Sequence, residues 1–156
     1  WRGYYMYNAT VTIFNLYESR TAAVWYPHVL SDVDLITDKG QLLKKYGPDS
    51  TDNAELHIIF EKKDGKRIIR DVSGKELPWL PPKAWKSQVN DLLDDSVTFG
   101  PDDFFMEGEW TDGVVDEENY TSGFYDFMNN QYDFVFLISS VGGPYSVIPH
   151  FEILGK

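Results

Sequence analysis

The sequence predicts a mainly β domain, an α+β chain folded as a small β-barrel or sandwich-like unit with one or two short helices and long loops. Several short segments alternate apolar with polar residues or are rich in β-branched and aromatic residues, which is typical of strands. Glycine, proline and Asp/Asn turn residues separate these segments. Closing such strands into a barrel removes exposed edges, so a barrel is the natural solution.

The N-terminal elements follow from this alternation. Residues 10–16 predict the first strand, and residues 22–30 predict the second. Pro27 lacks a backbone donor and therefore indicates an edge or a bulge. Residues 33–36 continue this strand or form a short third one. The polar, turn-rich residues 37–53 predict a surface loop, the type of segment through which small β domains contact partners.

The middle of the chain predicts a hairpin and then a helix. Asp64-Gly65 lies between the strand-like residues 54–62 and 66–72. This dipeptide favours a tight hairpin turn because both turn positions want positive φ. After a proline-rich break, residues 82–93 predict a short helix, and residues 97–99 restart a strand.

The C-terminal part predicts one clear helix between strands. Residues 100–110 form a turn leading into a short strand, and residues 112–118 form a solvated acidic loop. Aromatic residues at helical spacing predict a helix over 120–132. Two apolar runs, residues 132–141 and 147–154, are joined by a glycine–proline break and predict two closing strands.

At 156 residues, the chain is expected to form one domain over residues 7–156, preceded by an N-terminal extension of residues 1–6. Met6 is the expected natural start, with residues 1–5 an upstream extension or a cloning remnant. No run approaches the roughly 20 apolar residues that cross a bilayer, so no membrane association is predicted. The absence of cysteine excludes disulfides and thiol catalysis.

The charge is unevenly distributed. Residues 1–75 contain 11 Lys/Arg and 10 Asp/Glu, whereas residues 76–156 contain 3 and 15. Because phosphate binding needs clustered cations, the C-terminal half repels nucleic acid. One basic cluster surrounds the predicted hairpin tip: Lys62, Lys63, Lys66, Arg67 and Arg70. It is either a solvated hairpin with edge-protecting lysines or a contact with an acidic partner surface.

No motif carries recognisable chemistry. His28, His57 and His150 all fall inside predicted strands, and none has the spacing of a metal-binding motif. Carboxylate pairs such as Asp102-Asp103 arise by chance among 25 acidic residues, and residues 112–118 lack the spacing of a calcium loop. We therefore predict no catalytic residue, no metal and no cofactor, and a protein that is not an enzyme.

The ordered pattern resembles the small head–tail connector proteins of tailed bacteriophages, and most of all their head-closure group. The resemblance spans residues 7–156. The central turn differs from the family pattern, and the segments 62–70 and 111–131 are longer than usual. The resemblance rests on the following segments: the first strand (10–16), the strand around Trp25, Ala54-Glu55-Leu56-His57-Ile58-Ile59-Phe60, residues 82–85, Thr98 to Gly108, and the closing residues 136–141 and 149–156.

This resemblance implies a structural protein of the virion, assembled in the cytoplasm of the bacterial host. It implies a ring of twelve or six copies that docks to adaptor and portal proteins and to a tail terminator or tail tube. Such a ring closes the DNA exit and lets genomic DNA pass without sequence-specific binding. The candidate residues for the DNA channel or for docking are Lys62, Lys63, Lys66, Arg67, Arg70, Asp112, Asp116, Glu117 and Glu118.

The alternative function is another β-rich tail or baseplate module, or a carbohydrate-binding module. In a carbohydrate-binding module, exposed Trp79, Trp85 and Trp110 would stack on sugar rings.

Overall fold

A computed structural model describes residues 7–37 and 53–156. The described chain contains strands and short helices joined by turns and loops. The strands are β1 (Ala9–Glu18), β2 (Ala23–Thr37), β3 (Ala54–Ile59), β4 (Glu61–Lys63), β5 (Lys66–Arg70), β6 (Glu76–Pro78), β7 (Phe104–Glu107), β8 (Val115–Asp116), β9 (Val135–Tyr145) and β10 (His150–Gly155); the helices are α1 (Pro82–Lys86), α2 (Asp91–Asp94), a 3₁₀ turn (Glu117–Asn119) and α3 (Phe124–Gln131).

Six of these strands form a closed antiparallel barrel. Their order is β1-β7-β9-β10-β3-β2, and pairing of β2 with β1 closes the ring. Strand β8 adds a short pairing to β2 outside the ring. The predicted mainly β fold, with a barrel as its core, is confirmed.

Alternation along the strands fills the interior of the barrel. Leu56 and Ile58 of β3 and Phe151 and Ile153 of β10 are buried in one core cluster. Successive strand residues point to opposite faces of a sheet. The residues between these pairs, His57 and Glu152, are consequently on the outside of the barrel, in register with each other.

A second apolar cluster lies on the outside of β1, β7 and β9. Phe14 follows the interior residue Ile13 and is itself fully buried. It stacks on Phe104 at 4.7 Å between ring centroids. Helix α3 covers this outer face with Phe124 and Met128, both fully buried.

Strands β4, β5 and β6 form a separate small sheet. The predicted hairpin turn lies between β4 and β5, where Asp64 has φ 54° and Gly65 has φ 76°. Two positive φ angles in a two-residue turn match the twist of a hairpin.

Several local predictions differ from the structure. The glycine–proline break predicted between the two closing strands lies inside β9, which runs on to Tyr145. The proline-rich break contains the end of β6, and the predicted acidic loop contains β8.

The helix predicted over 82–93 is two short helices separated by residues 87–90. The last of these, Asn90, has φ 56°. Residues 97–99 form a single bridge, Val97 to Trp79, and no strand. Helix α3 begins at Phe124 and not at residue 120, because Gly123, the residue before it, has φ 95°.

The loop predicted over 37–53 lies almost wholly outside the described residues, since β2 ends at Thr37. In the part of the chain that the structure covers, no helix has both the length and the apolar content needed to span a bilayer.

Candidate functional sites: a hairpin-end patch and a histidine cluster

The β9–β10 turn carries exposed apolar side chains. Val147 is 84% exposed, Ile148 72% and Tyr145 42%, and Ile59 on neighbouring β3 is 47% exposed. Register brings them to one end of the barrel, because His150 pairs with Ile59 on one side and with Tyr145 on the other. We call Ile59, Tyr145, Val147 and Ile148 the hairpin-end patch.

Local sequence fixes the shape of this hairpin. The Tyr145 ring lies over Gly142, where an added Cβ would stand 2.6 Å from the tyrosine Oη. Gly143 has φ 102°, a conformation that side chains disfavour. Tyr145 also packs on the ring of His150, with centroids 5.0 Å apart. The glycines thus let an aromatic ring fold back onto the hairpin, while the turn residues beyond it point outward.

Next to the patch, three potential ligands meet on the outside of β3 and β10. His57, His150 and Glu152 each offer a nitrogen or oxygen, and these atoms lie within 4.8 Å of one another. The two imidazole rings are nearly parallel, with centroids 5.9 Å apart. Both histidine side chains are mostly buried, at 17% and 18% exposure, and Glu152 is 39% exposed. We call these three residues the histidine cluster.

Hydrogen bonding orients His150 within this cluster. Its Nδ1 lies 2.5 Å from the carbonyl oxygen of Ile148. A carbonyl only accepts, so Nδ1 carries a proton and donates it. The other nitrogen, Nε2, lies 3.2 Å from Oε1 of Glu152. In neutral His150, a nitrogen lone pair would therefore face a carboxylate oxygen.

Asp34, His57 and Glu152 are aligned across β2, β3 and β10, and we call these three residues the polar row. Asp34 pairs with His57 in the β2–β3 ladder and is only 6% exposed. The pKa of Asp34 is raised, mainly by burial. The charge of Glu55 raises this pKa further, whereas His57 partly opposes the increase. The pKa of Tyr7 is raised by burial and then by the charges of Asp34 and Glu152.

The basic residues predicted as a docking or channel surface lie on the small sheet. Lys63 pairs with Glu76 at 3.0 Å, and Arg70 contacts both Glu61 and Glu76. Arg67 lies over the rings of Phe60 and Trp79, at 6.0 Å from each centroid.

Lys62 and Lys66 are exposed members of the same cluster. Local carboxylates therefore offset part of this positive charge, as expected for a solvated hairpin.

The acidic candidates lie around β8 and the 3₁₀ turn. Asp112, Asp116 and Glu118 are exposed. Glu117 differs, since its Oε1 accepts hydrogen bonds from the backbone N–H of Phe124 at 2.5 Å and from Nε1 of Trp25 at 3.3 Å. Glu117 therefore anchors the start of α3 to the barrel. No ion pair between described residues joins the acidic candidates to the basic ones.

The tryptophans do not form the exposed platform of the carbohydrate-binding alternative. Trp85 is fully buried and donates from Nε1 to the carbonyl of Ser96 at 3.1 Å. Trp79 and Trp110 are half-buried, each packed against one of the two apolar clusters.

The Asp102-Asp103 pair separates into two different roles. Asp102 is exposed and pairs with Lys86 at 2.8 Å. Asp103 is 1% exposed and accepts hydrogen bonds from the N–H groups of Leu16 and Gly100, at 2.9 Å each, and from Asn15 Nδ2 at 3.1 Å. Burial raises the pKa of Asp103 to about 7 despite these bonds. It holds the turn before β7 against β1.

Sequence reasoning missed the histidine cluster. Two residue pairs, Glu55 with His57 and His150 with Glu152, have the i, i+2 spacing that puts side chains on one strand face. This signal marks a face of each strand, but only the β3–β10 register brings the two faces together.

Comparisons with known proteins give one match. No curated protein and no solved structure matches the chain. The model of one protein family matches residues 6–156. The chain therefore belongs to DUF6751, a family of unknown function.

Proposed function

We propose that the protein is a structural subunit of the head–tail connector of a tailed bacteriophage, forming a head-closure ring that seals the DNA exit and docks the tail. The hairpin-end patch is the observation that carries this proposal. It provides an exposed apolar surface on a closed barrel, which suits assembly with other protein chains.

Barrel closure restricts how the chain can assemble. The six ring strands pair with each other all round, so they offer few unpaired edges for strand addition. Subunit contacts then depend on side chains. Val147 and Ile148, the two most exposed large apolar residues of the described chain, are the natural centre of such a contact, since interface cores are apolar and depleted of charge.

A ring needs a second, different surface on each subunit, because its contacts are heterologous. The α3 side of the barrel offers one. Phe127 of α3 and Tyr132 directly after it are 40% and 50% exposed. In the proposed ring, the hairpin-end patch of one subunit packs against this α3 side of the next.

The charge of the chain suits a conduit for DNA. The net charge is −11, and ion pairs occupy Lys63 and Arg70 on the basic hairpin. A wall that attracted phosphates would hold the genome in place, whereas an acidic wall lets it slide.

Native mass spectrometry tests the proposal. The purified chain is measured alone and mixed with portal–adaptor particles. We expect a mass increment of six or twelve chains on the particles. A chain that stays monomeric and leaves the particles unchanged would contradict the connector function and favour another β-rich tail or baseplate module.

A matched pair of double variants locates the contact. Replacing Val147 and Ile148 with aspartate should abolish assembly while the barrel stays folded. Replacing Val89 and Leu92 with aspartate is the control, since these side chains are 59% and 55% exposed and lie in the α1–α2 region. Loss of assembly in both variants, or in neither, would refute the role of the patch.

A further inference from the structure

The histidine cluster has a built-in conflict between two acceptors. The Nδ1–H of His150 donates to the carbonyl of Ile148, which directs the Nε2 lone pair of the neutral ring toward Glu152 Oε1 at 3.2 Å. Either a proton on Nε2 or a cation between the two atoms resolves this. A histidine whose other ring nitrogen donates to a backbone carbonyl is the usual arrangement of a metal ligand.

The second histidine strengthens the case for a cation. Nδ1 of His57 lies 4.0 Å from the same Oε1 of Glu152, and its ring is stacked nearly parallel to that of His150. Nε2 of His57 is buried and makes no hydrogen bond in the structure, although Oε2 of Glu55 lies 3.5 Å from it. A second carboxylate therefore adds negative charge at the edge of the cluster.

An independent observation comes from β2. Asp34 is 6% exposed, and its Oδ2 has no hydrogen-bond partner in the structure. Cross-strand neighbours have Cβ atoms about 5 Å apart, and Asp34 is directly opposite His57. A buried carboxylate oxygen without a donor normally costs free energy, and a nearby cation offsets that cost.

We propose that His57, His150 and Glu152 bind one divalent transition-metal ion, with Zn²⁺ as the best fit, and that Asp34 supports the site from the neighbouring strand. Two imidazoles and one carboxylate form a set of three protein ligands that leaves a coordination position for water. Ligand atoms around tetrahedral zinc stand about 3.4 Å apart. The three ligand atoms now lie within 4.8 Å of one another, and the two rings are nearly parallel. Binding one ion therefore requires the side chains to draw closer and the imidazoles to turn toward a common point.

The metal would also stiffen the neighbouring hairpin. His150 is bonded to the carbonyl of Ile148 and packs on Tyr145, so fixing its ring fixes two members of the hairpin-end patch. Metal binding itself does not depend on the proposed ring, and the two proposals fail separately.

Competition with a chromogenic chelator tests the site. The untagged chain is stripped with EDTA and titrated with Zn²⁺. We expect one Zn²⁺ per chain. His150→Gln and Glu152→Gln should each weaken binding by more than the ~10–100-fold that loss of an outer-shell partner costs. Glu109→Gln, at an exposed carboxylate elsewhere, should leave the affinity unchanged.

The proposal would be overturned if the wild-type chain did not bind Zn²⁺. It would also be overturned if both cluster variants bound Zn²⁺ as tightly as the wild-type chain. X-ray absorption at the zinc edge of the wild-type complex covers the case in which a variant fails to fold. Two imidazole nitrogens in the metal shell are expected, and a shell of oxygens alone would also overturn it.

Discussion

The two outer faces of the barrel differ in what covers them. On β1, β7 and β9, the outward residues Phe14 and Phe104 are fully buried beneath Phe124 of α3. On β3 and β10, the outward residues His57 and Glu152 are polar and partly open. Both faces obey the same period-two alternation. A covered apolar face contributes stability, whereas an open polar row with unpartnered atoms contributes little and is available for binding.

The largest effect should come from the covered face. Phe124→Ala removes a fully buried ring that contacts Phe14, Phe104 and Trp110. We expect the free energy of unfolding to fall by ~3–5 kcal/mol, measured by urea denaturation. A loss below about 1 kcal/mol would show that α3 adds little to the barrel.

A smaller loss should follow from removing the anchor of α3. Glu117→Ala leaves the N–H of Phe124 and the indole N–H of Trp25 without their acceptor. We expect a loss of ~1–3 kcal/mol in the free energy of unfolding. Glu118→Ala, at the exposed neighbouring position, is the control and should change stability by less than about 0.5 kcal/mol. Equal losses in the two variants would refute the anchoring role.

Acid should destabilise the barrel through His28. Burial lowers the pKa of His28 from 6.5 to about 3. Below pH 6.5, His28 in the unfolded chain takes up a proton that His28 in the folded chain does not. The free energy of unfolding therefore decreases as the pH is lowered. The expected slope is on the order of 1 kcal/mol per pH unit between pH 6.5 and about 3.

Comparison with His28→Leu in EDTA isolates this contribution. Asp103 acts in the opposite direction, because its raised pKa favours the protonated folded state below about pH 7. It is present in both proteins and cancels in their difference. Parallel stability curves for wild type and variant would contradict the assignment to His28.

The smallest effect on stability should come from the open face. In EDTA, Glu152→Gln should change the free energy of unfolding by less than about 1 kcal/mol. With Zn²⁺ added, the wild-type melting temperature should rise and that of the variant should not, because a ligand stabilises only the state that binds it. A large loss in EDTA would mean that the cluster is a structural ion pair.

Sequence patterns predicted the strands well because alternation is local. The Asp64-Gly65 hairpin and the existence of both closing strands were found this way. The turn between the closing strands was predicted too early, because the Gly142-Gly143-Pro144 segment continues β9 to Tyr145. Helix α3 was predicted four residues too early, since the aromatic spacing of Tyr120 continues the pattern while Gly123 ends it. The site was harder to predict. His57 and His150 are 93 residues apart, and only the β3–β10 register, a tertiary property, places them together.

The central claim is that the open side of the barrel binds other molecules. Native mass spectrometry of the chain with Zn²⁺ and portal–adaptor particles tests this claim most directly, because one spectrum counts both the metal ions and the chains that are bound. We predict one Zn²⁺ per chain and a six- or twelvefold increment on the particles. A metal-free monomer that leaves the particles unchanged would contradict the account.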